Sequence, residues 1–99
     1  MNNLGLNTAR AMNWQCFLET RGYNPGTRDG QLGPDSWKAA QKALNAWGWN
    51  AGTVDGVVGT NTIEALQRFL NHWGWNAGTV DGIAGTQTKN AFWNFNATC

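Results

Sequence analysis

Asp29, Asp55 and Asp81 stand 26 residues apart, and each is followed by glycine. A carboxylate so placed can act as an acid or base, ligate a hard cation, or close a turn on its own backbone. Calcium takes about six to eight oxygens, usually from an alternating run of acids, and one acid per stretch does not supply them. Asp-Gly is a turn dipeptide whose carboxylate accepts from nearby N–H groups, and the threonine two residues earlier (Thr27, Thr53, Thr79) can join that network. The first reading of all three acids is therefore structural. Asp55 and Asp81 also lie inside GWNAGTVDG, which occurs at 48–56 and again at 74–82, so they stand as candidate ligand-binding residues too.

The other candidates for catalysis lack partners. His72 is the only histidine, and its place in the neighbouring units is taken by Thr20 and Ala46, with no nucleophile in step with it. It reads as a surface residue favoured by a helix C-terminus. Glu19 and Glu64 occupy different repeat positions and form no glycosidase-type acid/base pair. Cys16 and Cys99, the only cysteines, fit no zinc spacing. They read either as a disulfide that fastens the C-terminal end to the first helix, in an oxidising compartment, or as two free thiols. No catalytic residue, metal set or cofactor is assigned, and a non-enzyme is expected.

Aromatic residues carry the stronger signal. The chain holds 7 Trp against a single Tyr, with only 13% charged residues, which is more tryptophan than a small core requires. Tyr23, Trp49 and Trp75 recur at the 26-residue interval, each followed by an asparagine: Asn24, Asn50 and Asn76. A flat ring stacks on the apolar face of a sugar, and a neighbouring amide can read hydroxyl and N-acetyl groups. Those six residues, with Asp55 and Asp81, are the candidate ligand-binding set. The competing reading is a ring folded back as a cover over the preceding helix end. Trp47 and Trp73 are expected in the core or in packing between units, Trp14 and Trp37 in the core, and Trp93 at a partly covered end.

The elements that position these residues follow from the same period. Gly22, Gly48 and Gly74, Gly26, Gly52 and Gly78, and Gly33, Gly59 and Gly85 all keep it, as do Gln15, Gln41 and Gln67. Between the glycine-rich stretches, apolar residues at helical spacing predict helices over about 9–20, 34–47, 61–73 and 87–95. Pro34 suits a first turn, Thr60 and Thr86 are expected as caps, and Gly22, Gly48 and Gly74 as stops. Two columns interleave large and small residues, Trp14/Ala40/Leu66/Phe92 and Phe17/Ala43/Phe69/Phe95, as close packing demands. In the last unit Asn96 replaces Leu18, Leu44 and Leu70, and Lys89 replaces Trp37 and Ile63, polar changes that read as the end of an array. The fold class is all-α: four helices joined by three copies of one loop. Residues 1–8 are expected as a linker and 9–99 as one domain, with units at about 10–35, 36–61 and 62–87 and a closing helix at 87–95.

Bulk properties narrow the partners. A formal net charge of +1, with scattered Lys and Arg, offers no footprint for nucleic acid or an anionic membrane. No apolar run approaches the roughly 20 residues of a membrane span. Met1 is followed by polar residues, so any secretion signal would lie outside this chain.

VDGVVGTNTIEALQRFL (54–70) and VDGIAGTQTKNAFWNF (80–95) resemble the D-G-x-x-G-x-x-T motif of the peptidoglycan-binding domains appended to bacterial and phage cell-wall hydrolases, and RDGQLGPDSWKAAQKAL (28–44) is a looser third copy. The resemblance implies a helical, non-catalytic, secreted module. It would hold a linked enzyme against peptidoglycan or a related N-acetylated polymer such as chitin, as a monomer. Members of that family show one motif per domain, whereas here each internal helix ends one unit and begins the next. A helical repeat array that binds a protein partner is the alternative.

Overall fold

A computed structural model describes residues 1–99. The first three helices stop the same way. At the ends of α1 (Thr8–Thr20), α2 (Pro34–Ala46) and α3 (Thr60–His72), a glycine takes a left-handed conformation, with φ of +89°, +86° and +84° at Gly22, Gly48 and Gly74. The next N–H then turns back onto the last helical turn: Tyr23 to the Leu18 carbonyl at 2.9 Å, Trp49 to Leu44 at 2.8 Å and Trp75 to Leu70 at 2.9 Å. This is a Schellman closure, and it ties the aromatic residue after each glycine to the helix it follows. The fourth helix, α4 (Thr86–Phe95), completes an all-α chain of four helices without strands.

The starts differ from the expectation. Thr60 and Thr86 are not caps but first helical residues, because the glycine before each already accepts the first intrahelical bond. Ile63 donates to Gly59 at 3.1 Å and Lys89 to Gly85 at 3.0 Å. Those glycine caps carry no side-chain bond, and only α1 has one, from Asn7 to the Arg10 N–H at 2.8 Å.

Each helix packs on the next in chain order, and both interleaved columns meet as their sizes require. Trp14, Ala40, Leu66 and Phe92 are all buried, with Trp14 set edge-on to Phe92 at 4.9 Å between ring centroids. The chain then closes rather than trailing off. Arg10 of α1 donates to the Trp93 carbonyl at 2.6 Å, Asn13 to the Asn96 carbonyl at 2.9 Å, and Cys16 is joined to Cys99 in a disulfide. Asn96 is consequently fully buried, not a solvated array end.

The first residues are likewise part of the fold and not a linker. Leu4 and Leu6 are buried, Asn2 and Asn3 bond Leu32 through its carbonyl and N–H at 2.9 Å each, and the Trp37 indole donates to the Asn2 carbonyl at 2.8 Å. The physical reason lies in the register. Leu6 stands 26 residues before Leu32, so the stretch supplies α1 with the same apolar lead-in that the loops supply to later helices. Gly5 lies along the stem of Lys89, whose side chain stays exposed in the last unit.

Candidate functional site

The loops between helices are built around a buried glutamine. Gln41 on α2 donates through Nε2 to Asp55 Oδ1 (3.1 Å), the Val57 carbonyl (3.0 Å) and Thr62 Oγ1 (3.0 Å). Its Oε1 accepts from the N–H groups of Asp55 and Gly56 at 3.0 and 2.9 Å. Gln67 repeats the set with Asp81, Ile83, Thr88 and Gly82, and Gln15 does so with Asp29, Gln31, Ser36 and Gly30, except that the Asp29 N–H turns to the Thr27 carbonyl at 2.9 Å. Each aspartate also accepts the N–H two residues on, at 2.9 Å. That backbone donor first, and the glutamine second, hold the three carboxyls below the usual carboxylate range. The aspartate's partner is glutamine; the side chains of Thr27, Thr53 and Thr79 take no part. Gly56 closes the turn at φ +76°, and a Cβ there would meet the Pro34 carbonyl oxygen at 2.9 Å, so the turn lies directly on the start of α2.

This scaffold places the candidate residues in two groups. Asn50 and Asn76 adopt left-handed backbone, φ +62° and +57°, a conformation asparagine tolerates better than most residues. Asn24, which precedes Pro25, does not adopt it and closes a short turn onto the Gly26 N–H at 3.0 Å. Asn76 Oδ1 accepts from Gln87 at 3.2 Å. These asparagines and both aspartates are exposed, but none lines the main groove; Asp55 borders a separate polar hollow with Thr53, Thr60 and Asn61.

The aromatics do converge. Phe17, Phe69 and Phe95, from α1, α3 and α4, meet with ring centroids 5.1 to 6.2 Å apart and form the floor of a groove of about 520 Å³. Trp47 stacks on Phe69 at 5.6 Å and stands edge-on to Phe17 at 5.9 Å. Trp49, His72 and Trp73 form one wall, with the imidazole 5.0 Å from Trp49 and 4.9 Å from Trp73. Arg21 completes the lining. Among the candidates, Trp49 lines the groove directly. Tyr23 and Trp75 touch it from outside, against Trp47 at 5.9 Å and Phe95 at 5.8 Å.

Trp47 packs between units as expected, half-buried between Phe17 and Phe69 while also lining the groove, whereas Trp73 corrects that expectation and is 62% exposed. Both are the C-cap residue, one step before the helix-ending glycine, where the helix has already run out and its apolar face no longer dictates direction. The pattern Trp-Gly-Trp at 47–49 and 73–75 was the available signal: the Schellman glycine puts a ring on either side of a helix end. Trp14 and Trp37 are core residues, and Trp93 is half-buried under the Arg10 guanidinium at 4.3 Å.

The geometry is thus an all-α fold with an aromatic groove where its helices end. Residues 35–69, which span α2, the second loop and most of α3, match the model of the family described as "Putative peptidoglycan binding domain". The resemblance read from 54–70 and 28–44 thus holds over that stretch, about a third of the chain. No curated protein and no solved structure matches the chain. No helix is long and apolar enough to cross a membrane.

Proposed function

We propose that this chain is a non-catalytic module that binds the glycan strand of peptidoglycan in the aromatic groove and holds an attached wall-lytic enzyme, outside the cell, against its polymer. The observation that carries the reading is the groove itself: Trp47, Trp49 and Trp73 grouped around a phenylalanine floor, at a helix end of a chain whose 35–69 segment matches the peptidoglycan-binding family. Indole faces take the apolar faces of pyranose rings, and the phenylalanine floor takes N-acetyl methyl groups. Exposed Asn50 and Asn76, with the outer carboxylate oxygens of Asp55 and Asp81, supply hydrogen bonds to units of the polymer beyond the groove. Such contacts add along one strand through effective concentration.

The test is co-sedimentation of the purified chain with insoluble peptidoglycan, with chitin and cellulose alongside. Retention on peptidoglycan supports the reading, retention on chitin as well extends it to N-acetylated polymers in general, and a chain left in the supernatant on all three contradicts it.

A further inference from the structure

Arg21 occupies the repeat position held by Trp47 and Trp73, so one of the aromatic places bordering the groove is given to a guanidinium. Its Cζ lies 4.7 Å from the centroid of Phe17, flat-on contact that leaves the edge N–H groups free. Arg21 is exposed, its side chain donates no hydrogen bond within the chain, and it forms no ion pair; the one ion pair present joins Arg28 to Glu19. Glu19, the nearest acid in sequence, is thereby engaged elsewhere. No acidic residue lines the groove. The neighbouring cation, Arg68, is occupied by the Trp49 carbonyl at 3.0 Å, and His72 is held between two indoles. An oriented guanidinium with open donors beside a sugar-sized aromatic groove is built for a planar anion.

We propose that Arg21 binds a carboxylate carried by the glycan in the groove, so that the site selects an acidic N-acetylated polymer over a neutral one. This rests on the glycan reading above and names the substrate feature it had left open. The carboxylate belongs either to a lactyl ether on the sugar ring or to a peptide attached there; both present the same planar anion to the fork.

Titration of intrinsic tryptophan fluorescence separates these cases. The probes are the peptide-free tetrasaccharide of alternating N-acetylglucosamine and N-acetylmuramic acid, the same glycan with its carboxylates amidated, the same glycan bearing peptides, and tetra-N-acetylchitotetraose. The unmodified chain should bind the free acid about tenfold more tightly than the amidated glycan or chitotetraose, the gap expected of one charge-assisted pair. Arg21→Gln should erase that gap by weakening the free acid more than chitotetraose, and Arg21→Lys should restore part of it. A preference seen only with the peptide-bearing glycan and lost in Arg21→Gln supports the proposal with the peptide as carboxylate source. A preference that survives Arg21→Gln, or no preference in the unmodified chain, overturns it while leaving glycan binding intact. If no probe alters the fluorescence, the glycan reading has failed and the Arg21 assignment falls with it.

Discussion

Gln41 and Asp55 lie 14 residues apart in sequence and 3.1 Å apart in space, and the same pair recurs as Gln67–Asp81 at 3.1 Å and Gln15–Asp29 at 3.2 Å. Each glutamine is fully buried, and each satisfies a loop that has no helix or sheet partner of its own. Gln41→Leu should therefore strand the N–H groups of Asp55 and Gly56 and cost on the order of 3 kcal/mol. Urea unfolding measures it, and a loss below about 0.5 kcal/mol would mean that the loop does not depend on this residue.

The acid limb of stability tests the same node. Asp29, Asp55 and Asp81 have folded pKa values below the ordinary 3.8. Their contribution is fully present above the unfolded value and is lost as pH falls through the lower folded values. Melting temperature should accordingly drop below about pH 4. Asp55→Asn should be destabilising at neutral pH, and its gap from the unmodified chain should narrow in acid. A gap that widens toward low pH would contradict the assignment.

The Cys16–Cys99 bond spans 83 residues and ties the C-terminal end to α1. In the chain-entropy account, closing a loop of that size stabilises by about 4.5 kcal/mol. The Cys16→Ser, Cys99→Ser double variant should lose most of that in urea unfolding, and an unchanged midpoint would show that the helices close without it.

Asn96 offers a gain instead of a loss. Its Oδ1 is buried without a partner, and its Nδ2 bonds a Phe92 carbonyl that already accepts the Asn96 N–H at 3.1 Å. Leucine fills the same repeat position at 18, 44 and 70. Asn96→Leu should raise stability by about 1 kcal/mol, since it removes an unmet acceptor and strands no other group. A lower melting temperature would show that the site has no room for the added branch.

Periodicity made the helices, their glycine stops and the interleaved core legible, because those follow from local rules repeated three times. The three Asp-Gly turns were legible as turns, though their glutamine partners were not: Gln15, Gln41 and Gln67 keep the period, but a buried amide reaching 14 residues ahead leaves no local trace. The closure of α4 onto α1 was visible only as a candidate pairing of Cys16 with Cys99. Asn96 was misplaced for that reason, since an array with open ends exposes what a closed one buries, and residues 1–8 because the period was not carried back from Leu32 to Leu6. At the groove, Trp49 was legible from its loop position and Trp47 as a packing residue, while the exposure of Trp73 was hidden because helical spacing was extended one residue past where the helix stops.

The central claim is that the aromatic groove holds peptidoglycan, and Trp73→Ala tests it most directly. Trp73 is the most exposed tryptophan lining the groove, so its removal should shift the melting temperature little. Co-sedimentation with insoluble peptidoglycan, quantified as an affinity beside a thermal melt, should show binding weakened about tenfold or more with the fold intact. Trp73→Ala that sediments like the unmodified chain would contradict the account.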